Sequence, residues 1–280
     1  MKNLQKGVIF TGVLLLAACG DGSHDAFQGY AEGEYVRVAA PFAGNLQQLN
    51  VGRGNTVQPG TPLFTLEQEN EAAGQREAVH NQRNAEAQLE QARASLKLSQ
   101  ITLQRQQELA ASRFVSQNAV DDARTNYERD KAHVAQLAAQ VGAMRAALAQ
   151  ADWALAQKSV TAPVAGLVND TNYVVGEWVP AGSPVVSLLP PQNIKVRFFV
   201  PEPALGSIHV DEPVHLICDG CGAPIAGRVT FISPQAEFTP PVIYSRENRS
   251  KLVYLLEARP APADAVKLHP GQPVDVRLGP

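Results

Sequence analysis

Between Gln68 and Lys158 the chain alternates apolar and polar positions on a seven-residue beat. Val120, Tyr127, Val134, Val141, Leu148 and Leu155 fall at one heptad position. Ala123, Leu137, Met144 and Ala151 follow members of that series by three residues, with Asp130 the one charged intruder. Upstream, Leu89, Leu96, Leu103 and Ala110 repeat the beat, with Ala85, Ala92 and Ser99 between them. Small and apolar residues on sustained heptads predict a coiled coil. Gly74 and Gly142 are the only helix-weakening residues of the stretch, which is otherwise rich in Ala, Gln, Glu, Arg and Leu. The beat breaks at Ala111–Asn118, so the stretch predicts two helices folded back on each other. Asn118 is the expected cap of the second helix, with Asp121 and Asp122 in its first turn. Two arms of about 42 residues make a rod of roughly 60 Å.

Outside the rod the pattern shortens to strand period. Residues 38–67 and 159–191 mix short β-prone pieces with Gly and Pro. They share Ala-Pro-x-Ala-Gly at Ala40–Gly44 and Ala162–Gly166, then Val57 or Val179, Gly60 or Gly182, and Pro62 or Pro184. Neither half is large enough to bury a core alone, so the two are expected to form one sandwich at the base of the rod. From Asn193 onward Ile194–Val200, Val214–Cys218, Gly227–Ile232, Lys251–Ala258 and Val274–Leu278 read as strands of a small barrel, with a short helix at Ala204–Ile208. Phe27–Arg37 is expected to return as one more barrel strand.

The N-terminus has a different texture. Lys2 and Lys6 precede an apolar run, Val8–Ala18, too short to span a membrane comfortably and laid out as a signal peptide over residues 1–18. It ends Leu16-Ala17-Ala18-Cys19-Gly20, which resembles a bacterial lipobox. That resemblance makes Cys19 the lipidated, palmitate-bearing first residue of the mature chain, with 19–27 a tether. Asp21 carries a weaker indication of inner-membrane retention.

Composition narrows the function classes. The 280 residues are 45% apolar and 18% charged with a net charge of −3, which gives no electrostatic reason to expect nucleic acid. No nucleophile–base constellation or phosphate-binding Gly loop is present, so no catalytic residue is assigned and no enzyme is expected. Of the three cysteines, Cys218 and Cys221 form a CxxC with His215 close by. A zinc site needs about four ligands, so the two cysteines, His215 and another group are conceivable. Free thiols are a further alternative, and an oxidising compartment favours a disulfide closing the Asp-Gly turn.

The split β-halves with a helical hairpin between them resemble the lipoyl domain of the HlyD-like membrane fusion proteins, the periplasmic adaptors of efflux and secretion systems. The resemblance covers Gln28 to Pro280. It implies a mixed α and β, elongated multidomain chain: a β-barrel from 28–37 plus 192–280, a lipoyl-like β-sandwich from 38–67 plus 159–191, and a long antiparallel α-helical coiled-coil hairpin over 68–158. Arg105, Leu109 and Ser116, spaced Arg-x3-Leu-x6-Ser at the expected apex, match the motif with which family members meet a TolC-like outer-membrane channel. The resemblance further implies a hexameric ring, an inner-membrane transporter partner and no cofactor. Adaptors of proton-driven pumps usually carry an additional membrane-proximal domain, for which the sequence leaves no room; this favours an ABC-type exporter. Two other readings compete. One is a biotin or lipoate carrier, which would present a modified Lys between the halves where this chain has its rod. The other is a lipid-anchored coiled-coil envelope scaffold with no transport role.

Overall fold

The structure is a computed structural model that describes residues 26–238 and 252–279. The signal run, Cys19 and the tether as far as Asp25 lie outside the described residues. The fold class is the mixed α and β one that the sequence predicts. The chain divides into two compact units, Gly33–Asn193 and a second one built from the flanking segments.

In the flanking unit, β1 (Ala26–Gly33) comes from before the Gly33–Asn193 unit and five strands come from after it. These six close into a barrel. In the Gly33–Asn193 unit, β2 (Val36–Ala39), β3 (Gly44–Leu49), β4 (Thr56–Val57) and β5 (Pro62–Leu66) precede the helices α1 (Glu69–Ala111) and α2 (Gln117–Ala156). After the helices come β6 (Ser159–Thr161), β7 (Gly166–Thr171), β8 (Trp178–Val179) and β9 (Pro184–Leu189). The eight strands form two four-stranded sheets, ordered β2-β9-β7-β4 and β6-β5-β3-β8. Each sheet takes two strands from each repeated half, so neither half closes a sheet without the other. Leu46, Leu63, Phe64, Val168, Val179 and Leu188, three from each half, are buried together in their shared core.

The expected strand Phe27–Arg37 is in fact two. β1 ends at Gly33 in the barrel, and Val36–Ala39 pairs instead with β9, placing Val36 opposite Leu188 and Arg37 opposite Ser187. The polar pair Glu34-Tyr35 separates them, and Glu34 is fixed by hydrogen bonds with Asn193: its N–H to the Asn193 carbonyl and its carbonyl from the Asn193 amide.

The barrel continues through β10 (Ile194–Pro201), α3 (Glu202–Leu205), β11 (Pro213–Ile217), β12 (Ile225–Phe238), β13 (Leu252–Pro260), α4 (Pro262–Ala265) and β14 (Pro273–Leu278), in the order β1-β10-β13-β12-β11-β14. Val196, Phe198, Val200, Leu216, Leu256 and Val276 fill it with no exposure. Gly29 is where β1 presses onto β10, since a Cβ there would overlap the Arg197 carbonyl and Phe198. Outside the core, Lys195 reaches Glu257 at 2.8 Å, and Arg197 lies between Glu257 and Glu32.

A repeat in the barrel escapes the sequence reading. β10–α3–β11 and β13–α4–β14 each run through a His-x-x-(Glu/Gln)-Pro-Val turn, at His209–Val214 and His269–Val274. In both, the His N–H donates to the side chain three residues on: to Glu212 Oε2 at 2.9 Å and to Gln272 Oε1 at 3.1 Å. The third turn residue is left-handed in both, Gly271 in one and Asp211, with φ 70°, in the other. The expected helix Ala204–Ile208 begins two residues earlier, because Pro203 fits the first turn of a helix. α4 has no counterpart in the sequence reading.

α1 and α2 are 43 and 40 residues long. Every seam position of α2 from Val120 to Leu155 is at least half-buried, and the opposite face is exposed. In α1 the seam series continues one heptad further than expected, through Gln106, whose Oε1 is buried without a hydrogen-bond partner. Asp130 is tolerated in the seam because Arg129 bonds it at 3.0 Å. That bond, with Ser99 adding to it against partial desolvation, holds the carboxyl below its ordinary range. Among the described residues no helix is long and apolar enough to cross a membrane.

Candidate functional site: the hairpin apex

The apex is a built turn. α1 ends at Ala111 with Ser112 as its cap, and Arg113 takes the left-handed conformation with φ 60°. The Arg113 N–H donates to the Ala110 carbonyl and the Phe114 N–H reaches back to Leu109, both at 2.9 Å. These are the two bonds of a Schellman motif, usually made with glycine at the left-handed position. α2 then opens at Ser116, whose extended backbone lets its hydroxyl accept the Ala119 N–H. The expected cap at Asn118 is therefore displaced by two residues. Asp121 and Asp122 fall beyond the first turn, which holds no acid.

Arg105 and Leu109, four apart, stand one above the other on α1, Arg105 exposed and Leu109 half-buried. Ser116 is exposed at the start of α2 and has a structural duty as its cap. The turn thus gathers the three positions at one end of the hairpin. Two neighbours join them. Phe114 is 79% exposed on a backbone fixed by the Schellman bonds. Arg113, like Arg105, makes no ion pair among the described residues. An aromatic in the break was visible in the sequence; a left-handed arginine was not, since only Gly or Asn would have signalled it.

At the opposite end of the hairpin, Lys158 is buried. Its Nζ donates to the Ala43 carbonyl at 2.7 Å and pairs with Glu71 at 2.8 Å, while its own carbonyl accepts the Leu66 N–H. A side chain at Gly44 would crowd that Nζ, which gives the repeated Ala-Gly a reason in the first half. Gln68, just before α1, caps nothing with its side chain and instead donates to Ser159 Oγ at 2.8 Å. Arg53 ties the two halves together by donating to Asp170 at 2.6 Å. In the barrel, Cys218 and Cys221 are joined as a disulfide across Cα atoms 5.4 Å apart. His215 does not join them: no group of three or more His, Cys, Asp or Glu among the described residues is arranged to hold a metal.

Known proteins share this architecture. Residues 81–158 match the family model for the "RND MFP, alpha-helical hairpin domain". The solved structure of MacA from Actinobacillus actinomycetemcomitans superposes with a TM-score of 0.74, covering 91% of this chain and 78% of that one at 15% identity. The membrane fusion protein Spr0693 from Streptococcus pneumoniae R6 gives a TM-score of 0.56 over 91% of this chain and 98% of its own, at 18% identity. A barrel, a sandwich of exchanged strands and a hairpin inserted between its halves define the fold of a membrane fusion protein. The UPF0194 membrane protein of Yersinia pseudotuberculosis (serotype O:3, strain YPIII) is 30% identical over 282 residues, 87% of this chain and 86% of that protein. A relative in Acidithiobacillus ferridurans, the UPF0194 membrane protein in asrC 5'region, is 32% identical over 208 residues, and the match spans 61% of its length. The chain belongs to the UPF0194 membrane protein family.

Proposed function

We propose that this protein is a periplasmic adaptor, held at the inner membrane by a lipid on Cys19, that links an ABC-type exporter to a TolC-like outer-membrane channel. It assembles as a hexameric ring and turns over nothing itself; the exporter supplies the energy. The observation that carries this reading is the apex, where a rigid turn presents Arg105, Leu109 and Ser116 at the end of the coiled coil. Arg105 offers a planar fork of donors for carboxylates or carbonyls of partner helices. Leu109 offers an apolar knob, and Ser116 a small group that permits close approach.

Photo-crosslinking in cells from a probe at Phe114, exposed at the apex and leaving Leu109 and the Ser116 cap in place, tests it. Capture of an outer-membrane channel, with an ABC transporter in the same complex, is the expected result. Capture with an RND-type transporter instead would correct the exporter class. Capture of nothing by folded, well-expressed protein would return the chain to the scaffold reading. Arg105→Asp and Leu109→Asp should abolish capture without unfolding the hairpin. At position 116 the cap must be kept, so Ser116→Asn is the structural control for Ser116→Arg.

A further inference from the structure

The Cys218–Cys221 turn joins β11 to β12, and the sulfurs do little to hold it shut. The two strands are already paired from Pro213 opposite Arg228 to Leu216 opposite Ile225. The Cys221 N–H also donates to the Cys218 carbonyl at 3.2 Å. A bridge across two intervening residues removes little freedom from the unfolded chain. Asp219, Gly220 and Gly222 are exposed around it and both cysteines are only half-buried, so an incoming thiolate can reach the bond.

Gln272 gives the turn an asymmetry. Its amide nitrogen donates to the Asp219 carbonyl at 3.2 Å and stands 3.8 Å from Cys221 Sγ, while its Oε1 accepts the His269 N–H. Its carbonyl accepts the Ala31 N–H of β1 at 2.9 Å. The twin turn has Glu212 in this place, whose carboxylate accepts the His209 N–H in the same way but has no donor to offer. The glutamine therefore adds an N–H beside Cys221 Sγ at 3.8 Å, nearer than the Lys267 carbonyl at 4.0 Å, and stabilises negative charge there.

We propose that Cys218–Cys221 is a thiol–disulfide exchange site for a protein dithiol, with Cys218 the attacked sulfur and Cys221 the leaving one. A thiolate of the dithiol protein attacks Cys218 Sγ. The Cys218–Cys221 bond breaks and its electron pair leaves on Cys221, which the Gln272 amide faces. The leaving thiolate takes up a proton. The second thiol of the dithiol protein then attacks the mixed disulfide and releases Cys218, which is protonated in turn. This chain gains two electrons and two protons, and the dithiol protein becomes a disulfide. Exchange is faster when the departing thiolate is the better stabilised one, which sets the direction of attack.

The test uses the full chain, folded and oxidised. Reduced glutathione is added, the reaction is quenched in acid, free thiols are alkylated and peptides are mapped by mass, which separates this pair from Cys19. Glutathione should sit on Cys218, with the alkyl group on Cys221, in at least tenfold excess over the reverse. Thioredoxin should then reduce the pair completely with no change in far-UV dichroism. Gln272→Glu, which keeps the acceptor and removes the donor, should slow reduction about tenfold and erase the site preference; Gln272→Asn controls for side-chain length. An even distribution of glutathione, reduction only in denaturant, or an unchanged rate in folded Gln272→Glu protein would overturn the assignment.

Discussion

Lys158→Met removes a cation buried where the hairpin is rooted in the sandwich. In the parent protein the Lys158 side chain is 4% exposed and that of Glu71 20%, and the Nζ satisfies both Glu71 and the Ala43 carbonyl. A charge-assisted hydrogen bond contributes about 1.5–3 kcal/mol, and stripping one partner from a fully buried ion pair costs about 3–5 kcal/mol. Glu71 keeps some access to water, which reduces the second figure, and the two overlap. Local stability at the root should therefore fall by about 3 kcal/mol, a change of roughly a hundredfold in the opening equilibrium. Amide exchange in the full chain reads this directly at the Leu66 N–H, which donates to the Lys158 carbonyl. The control is Lys158→Met with Glu71→Leu, which removes both charges and should recover part of the loss, the Ala43 carbonyl remaining without its Lys158 donor. Exchange at Leu66 within threefold of the parent in the single variant, or a double variant no better than the single, would refute the reasoning.

Two more predictions follow from local geometry. Arg113→Gly should stabilise the apex by about 0.5–1 kcal/mol and Arg113→Val should weaken it by a similar amount, because only glycine enters the left-handed region without a Cβ penalty; protection of the Phe114 amide measures both. Hydrogen bonds from Arg53, and to a smaller degree from the Thr171 N–H, hold the Asp170 carboxyl below its ordinary value against partial burial. Its contribution to stability is therefore present above the unfolded-state value of about 4 and is lost as the pH falls through the lowered folded-state value. Urea midpoints measured from pH 6 down to pH 3 should fall less steeply in Arg53→Gln than in the parent.

Features built on periodicity were legible in the sequence. Val120 through Leu155 named the buried face of α2 position by position, and the paired Ala-Pro-x-Ala-Gly motifs announced a domain in two halves. The heptad break put the apex near Ala111–Asn118, while Arg105, Leu109 and Ser116 were singled out there by the family resemblance and not by periodicity. What stayed hidden depends on contacts remote in sequence or on rare backbone states. Nothing in the sequence marked out Lys158, since its partners Glu71 and Ala43 precede it by the length of the hairpin or more. The cap at Ser116 and the expected one at Asn118 are equally good chemistry; the Schellman turn before them decides which is used. The pairing of Val36–Ala39 with β9 was invisible because an apolar alternation does not say which sheet it joins. The repeated His-x-x-(Glu/Gln)-Pro-Val turn was present in the letters, masked by the different residues inside it, Val210-Asp211-Glu212 in one copy and Pro270-Gly271-Gln272 in the other.

The seam and the apex together make the hairpin a ruler with coarse graduations. Adding one residue to either arm would rotate everything beyond it by about 100° and carry the seam off its partner. The Schellman turn at Arg113 and Phe114, fixed on both sides, has no slack to absorb the error. Length can change cleanly only by one heptad in each arm at the same level, a step of about 10 Å in reach. The length of the hairpin is therefore quantised. Relatives whose hairpins differ in length should differ by paired sevens in α1 and α2, with the turn residues carried along unchanged.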